Sequence, residues 1–333
     1  MGKVSILKSD IKPDMKPVFR ADEIRKVVEK SIKSTWLKQV HTSDKVFIKV
    51  NICIDRPTRG ATVTPEVIGS LVEILRDRAS EVVVGESDAS STSGDLAFQT
   101  SGIGKAVDDA GGKWINISKD ETVVVNDRKL QALNGKKFSK TMMDADIVVS
   151  NALVKTHEIT EITSTIKNMF GSLPYKKKLL FHPKLDQVMN DLVYVYQPVA
   201  LVDGLVAMEG NGPAQGDLVD YGVMLSGDNC VETDATVATI MGFDPEQIRH
   251  IRLGHTRGIG DIFNIEYPDM KPEQVYRKFR PAGKDIVLVS ELALLRYWPT
   301  RALFFQTPIF ELLRWMANVY RDRTRKKKGL AFE

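Results

Sequence analysis

Short runs of β-branched residues alternate along the chain with longer segments in which apolar residues recur every three or four positions. The short runs are typical of buried strands, and in the first part of the chain they cover residues 4–7, 46–50, 82–84 and 114–117. Residues 21–37 and 65–78 have helical spacing, and Thr64 and Pro65 give the second segment a hydroxyl cap and a proline in its first turn. Strands that alternate with helices predict a mostly parallel sheet.

The same alternation resumes after a polar stretch at residues 126–140. Further strands are predicted at residues 147–149, 199–202, 223–225 and 286–289. Further helices are predicted at residues 162–170, 185–194 and 232–241. We therefore predict an α/β fold with mostly parallel sheets, helices on both faces and two closely packed lobes, residues 1–140 and 141–290, followed by an amphipathic C-terminal helix within residues 291–333.

Polar side chains come directly after several of the predicted strands. Asn51, Glu86 and Asp203 each follow such a strand, and Lys155 lies a few residues beyond another. The carboxyl ends of parallel strands meet at one edge of a sheet, where α/β proteins place their ligands. The pattern therefore predicts a functional site at this edge.

Net charge and cysteine content narrow the function classes. The formal charge is +4, but residues 321–328 hold six basic side chains and one acid, so the rest of the chain is nearly neutral and no specific nucleic-acid partner is expected. The two cysteines are too few for an iron–sulfur cluster. The start of the chain lacks a signal-peptide pattern and no long apolar window occurs, so we expect a cytoplasmic protein, peripheral to a membrane if it associates with one.

A segment rich in lysine and histidine gives the strongest chemical signal. It contains Lys155, His157, Lys167 and His182, which we predict to converge in one cleft. Imidazoles act as general acids or bases and as metal ligands, so His157 and His182 are candidates for both roles. The lysines are candidates for binding a carboxylate or phosphate. The alternative is that these are solvated loop residues and a helix cap.

Six short motifs occur in order over about residues 40–260. They are Lys49-Val-Asn51, Gly60-Ala-Thr-Val-Thr-Pro65, Gly85-Glu86-Ser87, Val154-Lys155-Thr156-His157, Ile166-Lys167-Asn168-Met-Phe-Gly171, and Val202-Asp203-Gly204 with Glu209-Gly-Asn-Gly-Pro-Ala-Gln-Gly216. Their order resembles the family known as domain of unknown function 362. Some members of that family carry a ferredoxin-like cysteine module, which this chain lacks. The resemblance implies no established activity, but its motifs give the candidate substrate- or cofactor-binding residues Lys49, Asn51, Glu86, Lys155, Asn168, Asp203 and Glu209.

The spacing of His157, Lys167 and His182 is similar to that of nickel-dependent lactate racemases. In that family the histidines ligate nickel or act as acid and base, and the lysine is tethered to a pyridine-derived pincer nucleotide. The resemblance implies catalytic roles for all three residues and a nickel-pincer nucleotide as one cofactor option, beside a divalent metal of unknown identity. This chain departs from the racemases in their glycine- and arginine-rich substrate motifs.

The acidic residues beside glycines and serines allow two interpretations. Glu86, Asp88, Asp203, Glu209 and Asp234 could supply oxygen ligands to Mg²⁺ or Mn²⁺, or they could cap loops. The glycine-rich residues 209–216 could present backbone N–H groups to an anion, or they could form a plain tight turn. They do not match a dinucleotide-binding fingerprint.

The C-terminal segment has an apolar face and a basic end. Trp298, Phe304, Phe305 and Trp315 lie among other apolar residues, and the sequence RDRTRKKK follows. This composition is typical of a helix that lies on an anionic membrane surface. The alternative is a helix that packs on the body of the protein or on a second copy in a homo-oligomer.

Two functions remain open from the sequence. The first is an enzyme that acts on a small anionic substrate in a cleft between the lobes, with metal- or cofactor-dependent isomerisation or hydride transfer of a hydroxy acid as the reaction type. The second is a non-catalytic, membrane-associated binding or assembly protein that uses the C-terminal helix.

Overall fold

A computed structural model of the chain describes residues 2–11, 17–52, 54, 59–89 and 93–283, with positions 293, 294, 297 and 299. The strands in these residues are β1 (Gly2–Lys8), β2 (Lys45–Val50), β3 (Glu81–Glu86), β4 (Lys113–Asn116), β5 (Thr122–Val125), β6 (Lys136–Ser139), β7 (Ile147–His157), β8 (Glu161–Thr163), β9 (Val199–Glu209), β10 (Asp217–Gly227) and β11 (Ile265–Glu266). The helices are α1 (Pro17–Lys33), α2 (Pro65–Arg76), α3 (Gly94–Thr100), α4 (Ile103–Asp109), α5 (Lys140–Met143), α6 (Thr165–Met169), α7 (Leu185–Tyr196), α8 (Cys230–Ile240) and α9 (Arg249–Thr256).

One large sheet organises the described residues. Its strand order is β11-β1-β10-β9-β7-β2-β3-β4, and β8 pairs with the end of β7. The run β9-β7-β2-β3-β4 is parallel, whereas β10 is antiparallel to both β9 and β1. The prediction of an α/β fold with a mostly parallel sheet is confirmed.

Helices lie on both faces of this sheet. Side chains alternate between the two faces along each strand, so each face has its own set of residues that pack against helices. In β2, Val46, Ile48 and Val50 enter a core that also contains the apolar sides of α1 and α2. Lys49 points to the opposite face, where it reaches α6. The two faces therefore differ in chemistry, since one is apolar and the other carries polar groups near the strand ends.

Helix α2 begins at Pro65 as predicted, but the predicted hydroxyl cap is wrong. The side chain of Thr64 makes no capping hydrogen bond. Its backbone N–H instead donates to the Asp203 carboxylate at 2.8 Å. A strand at the centre of the sheet thus fixes the start of this helix.

The chain divides into two compact units. One contains residues 1–177 and 186–283, and the other contains residues 178–185 and 284–333. Strands from both predicted lobes join one sheet. The division into two closely packed lobes, residues 1–140 and 141–290, stays a prediction. The predicted strand at 286–289 and the predicted C-terminal helix lie outside the described residues.

No helix in the described part of the chain is both long enough and apolar enough to cross a bilayer.

Candidate functional site

A buried ion pair lies where β2 and β3 end. The ammonium group of Lys49 is fully buried and donates to Glu86 Oε2 at 2.8 Å, to the Val50 carbonyl at 2.8 Å and to Asn168 Oδ1 at 3.2 Å. These three acceptors match the three donors of an ammonium group. Burial lowers the pKa of Lys49, and the neighbouring Glu86 carboxylate opposes that shift. Burial therefore disfavours the charged form of Lys49, and the ion pair with Glu86 stabilises it.

Asn168 connects α6 to the sheet. Its amide oxygen accepts from Lys49 and, at 3.2 Å, from Asn51 Nδ2. Its amide nitrogen donates to the Lys49 carbonyl at 2.8 Å, to Ser150 Oγ at 3.0 Å and to the Asn151 carbonyl at 3.3 Å. Both ends of the side chain are engaged, so its orientation is fixed with respect to β2 and β7.

Gly171 covers the ion pair with backbone alone. A Cβ atom at this position would lie 2.5 Å from Glu86 Oε1 and 2.6 Å from Lys49 Nζ, which is too close for either polar atom. The hydroxyl of Ser87 donates to the Gly171 carbonyl and holds the turn in place. The turn after α6 can approach the ion pair only because this residue has no side chain.

A second buried lysine joins the same hydrogen-bond network. Lys155, on β7, is fully buried and donates to Asn51 Oδ1 at 2.9 Å and to the Ala61 carbonyl at 2.8 Å. Asn51 is half-buried and links this lysine to Asn168. We use the term buried cluster for the five connected residues Lys49, Asn51, Glu86, Lys155 and Asn168.

Asp203 lies on β9 next to this region. Its carboxylate accepts from the backbone N–H groups of Thr64 at 2.8 Å and Leu205 at 3.1 Å. Burial raises its pKa, and these hydrogen bonds oppose the shift. Among the described residues it makes no hydrogen bond to the buried cluster, and its observed partners are structural.

Glu209, at the end of β9, is paired with arginine. Its carboxylate accepts from Arg280 Nε at 3.1 Å and from the Arg280 backbone N–H at 3.2 Å. The same guanidinium pairs with Asp217 on β10. Within the part of the chain that the structure describes, Glu209 belongs to this ion-pair network and not to the buried cluster.

His157 and Lys167 lie on β7 and α6, two of the elements that also carry the buried cluster. His157 is two residues beyond Lys155 on β7, so both side chains leave the same face of the strand. The Nδ1 atom of His157 accepts from the Ile159 backbone N–H at 3.0 Å. Lys167 precedes Asn168 on α6, and its Nζ lies 5.0 Å from the centre of the Phe170 ring.

His182 belongs to the other compact unit. It lies in a short 3-10 helix, Lys178–Lys184, and its Nδ1 is 3.1 Å from the Leu179 carbonyl oxygen. Its predicted convergence with His157 therefore stays a prediction. In the described ranges, no group of three or more His, Cys, Asp or Glu side chains is arranged to hold a metal ion. The proposal that His157 and His182 bind a metal stays a prediction.

The strands that carry the candidate residues are longer than predicted. Lys155 and His157 belong to β7 itself, because antiparallel pairing with β8 extends that strand. Asp203 and Glu209 belong to β9, because pairing with β10 continues through Glu209. The expectation that these residues lie in loops after short strands was wrong, since partner strands satisfy their backbone.

Sequence reasoning missed a buried histidine. His250 on α9 is fully buried, and neither ring nitrogen has a hydrogen-bond partner among the described residues. Burial lowers its pKa to about 3, with the positive charge of Lys167 acting in the same direction. The side-chain oxygen of Asn190, which contacts the His250 backbone, also lacks a partner there. No local motif marks His250, so its burial could not be read from the sequence.

The fold and the buried cluster together define an α/β protein with a polar site at the carboxyl edge of its parallel strands. Within that class, the chain belongs to the family described as Domain of unknown function (DUF362), whose pattern matches residues 46–239. The match includes every residue of the buried cluster.

One curated relative adds a cellular context. A thylakoid-associated protein of Synechocystis sp. is 26% identical over 226 residues, which cover 63% of this chain and 66% of that protein. The chain thus matches just under two thirds of the length of its relative.

Proposed function

We propose that the protein is an enzyme that binds a small anionic substrate beside the buried cluster, at the seam where β2 pairs with β7. The observation that carries this proposal is that two fully buried lysines, Lys49 and Lys155, share one hydrogen-bond network at the carboxyl edge of the sheet. Removing a charge from water costs several kcal/mol. A fold that bears this cost twice at one edge has placed positive charge where an anion would be stabilised.

Each group in the cluster would have a distinct task. Lys155 would supply positive potential, and the half-buried Asn51 would transmit the network towards solvent. Lys49 would exchange a proton more readily than an ordinary lysine because burial lowers its pKa. His157 would act as the general acid or base.

Isomerisation or hydride transfer of a hydroxy acid is the reaction type that we propose for this site. Its support is the spacing of His157, Lys167 and His182. A divalent metal of unknown identity, or a nickel-pincer nucleotide on Lys167, would supply the redox or Lewis-acid chemistry. Protein is purified without oxygen, assayed for metal and incubated with a single enantiomer of a 2-hydroxy acid. Chiral analysis should reveal racemisation or, when a two-electron acceptor is added to take up the hydride, formation of the 2-oxo acid.

The first experiment measures anion binding. Calorimetric titration with inorganic phosphate should show binding that Lys155→Met weakens by at least about tenfold, because a buried charge-assisted hydrogen bond contributes roughly 1.5–3 kcal/mol. Lys26→Met is the matched control, since that lysine side chain is 70% exposed on α1. Equal phosphate affinity in both variants and the unmodified protein would contradict the proposal.

A second candidate function is peripheral membrane association. The observation in its favour is that the Synechocystis relative is thylakoid-associated. The basic residues 321–328 would attract anionic lipid, with each near-surface charge contributing about 1 kcal/mol. Vesicles containing phosphatidylglycerol should therefore bind the full chain, and deletion of residues 321–333 should reduce that binding. Salt-independent absence of binding, together with a dimer in light scattering, would favour a homo-oligomer instead.

A further inference from the structure

A buried carboxylate on α8 holds the start of α6. Asp234 is fully buried, and its Oδ1 accepts from the Thr165 backbone N–H at 2.8 Å and from Thr165 Oγ1 at 2.6 Å. Its Oδ2 accepts from the Ile166 backbone N–H at 3.0 Å. The first N–H groups of a helix have no partner inside that helix. Asp234 supplies the missing acceptors for α6.

The same short helix carries the side chain that links the two halves of the buried cluster. Asn168 accepts from both Lys49 and Asn51, each at 3.2 Å. The Ser150 hydroxyl donates to the Thr165 carbonyl at 3.0 Å, so the first turn is also attached to β7. A change at the first turn of α6 therefore reaches Asn168 within three residues.

We propose that Asp234 is the positioning residue of the anion site, and that its ionised carboxylate keeps α6 where Asn168 can order Lys49 and Asn51. This inference rests on the proposed anion binding. It assigns to Asp234 a different role from the oxygen ligand that the sequence suggested. The carboxylate acts through α6 and does not touch the ligand.

The charge of Asp234 gives the inference a measurable signature. Burial raises its pKa to about 6, although hydrogen bonds from Thr165 and Ile166 favour the ionised form. Protonation would remove acceptor capacity from the first turn of α6, so anion affinity should fall as the pH decreases through that value.

Other titratable groups on the surrounding elements must be separated from this signal. Helix α8 carries Cys230 and Glu232, α6 carries Lys167, and α9 carries His250. Burial raises the pKa of Cys230 and of Glu232 and lowers that of His250. His157 lies at the site itself, and its protonation would strengthen anion binding. All variants are therefore compared in a His157→Gln background.

The experiment measures sulfate affinity between pH 5 and pH 7.5, because sulfate stays a dianion over this range. At pH 7.5, Asp234→Asn should weaken binding about tenfold, the equivalent of 1.4 kcal/mol. The sulfate affinity of the His157→Gln protein should fall between pH 7 and pH 5. With Asp234→Asn added, the affinity should not change over this range. Asp191→Asn is the matched control, because Asp191 is equally buried and accepts three backbone N–H groups from residues 131–133, away from α6.

A milder variant tests the same idea if Asp234→Asn does not fold. Thr165→Val removes one donor that favours the ionised carboxylate, so the midpoint of the pH profile should move to higher pH. Unchanged affinity in Asp234→Asn, or an unchanged midpoint in Thr165→Val, would overturn the inference alone. Failure of the parent protein to bind sulfate or phosphate would overturn the proposed function and the inference with it.

Discussion

Two ion pairs at the ends of neighbouring strands show how the same chemistry differs with burial. The side chains of Lys49 and Glu86 are 0% and 7% exposed, and Glu86 also accepts from the backbone N–H groups of Ile52 and Ser87. In the pair of Arg280 and Asp217, both side chains are about 60% exposed. Water and salt screen the second pair, so such pairs contribute little to stability. The buried Lys49–Glu86 pair offsets its desolvation cost only if all its polar atoms are hydrogen-bonded.

The difference shows why geometry alone does not identify a site. Arg280 connects Glu209 and Asp217 as directly as Asn168 connects Lys49 and Asn51. Only the second arrangement places its cation, Lys49, fully in the protein interior. In the interior, electrostatic interactions are stronger than in water and each polar atom needs a hydrogen-bond partner. The following experiments test that distinction.

The largest effect is expected from removing one member of the buried pair. Glu86→Ala would leave the Lys49 ammonium buried without its carboxylate, which typically costs about 3–5 kcal/mol. Urea denaturation should detect this loss, and Glu86→Gln should lose less because the amide still accepts a hydrogen bond. A loss below about 1 kcal/mol would mean that the pair is solvated.

A buried group without partners should respond to acid. His250 has a pKa of about 3 in the folded chain, below that of an unfolded histidine, so the unfolded state binds more protons and stability falls as the pH drops below about 6.5. At pH 5 the loss should be about 2 kcal/mol relative to neutral pH. His250→Phe should remove this loss of stability in acid. His255→Phe, at a half-buried histidine, is the control and should leave the loss in place.

Replacing both members of the buried pair separates stability from function. The free energy of unfolding of the Lys49→Met, Glu86→Leu double variant should lie within about 1 kcal/mol of that of the unmodified protein, or above it. Apolar groups of matched size often replace a buried ion pair without loss of stability. Phosphate binding should nevertheless weaken. A double variant that binds phosphate as well as the parent would make the pair purely structural.

The smallest effect is expected at the exposed pair. Arg280→Ala should reduce stability by less than about 1 kcal/mol, and the difference should shrink further in 1 M salt. Thermal unfolding at two salt concentrations measures both. A loss as large as that of Glu86→Ala would end the contrast between the two pairs.

The sequence predicted the sheet well because each central strand is a short run with apolar residues on at least one face. It also brought Lys49, Asn51, Glu86, Lys155 and Asn168 into one candidate set. It could not assign partners within that set. The hydrogen bonds join residues as far apart as Lys155 and Asn51, and which side chain each lysine meets depends on strand register.

Other features depended on packing that no local pattern records. The extension of β9 requires β10 as a partner, so Asp203 and Glu209 lie within the strand, and residues 210–216 form the turn between the two strands. His250 lies in a short helix whose sequence resembles an exposed segment, and its burial comes from neighbouring helices. The sequence leaves Asp234 as either a metal ligand or a loop cap, because a carboxylate carries no sign of the backbone N–H groups it will meet.

The order of strands in the sheet also has a kinetic consequence. The antiparallel partners β9 and β10 are adjacent in sequence, so they can pair after a short loop closes. The partners β2 and β7 are about one hundred residues apart, and closing such a long loop makes their pairing slow. Pulsed hydrogen exchange during refolding should therefore protect β9 and β10 before β2. The Lys49 and Lys155 side chains would remain hydrated until that last step, so the chain would delay the burial of both charges until the rest of the sheet can hold them.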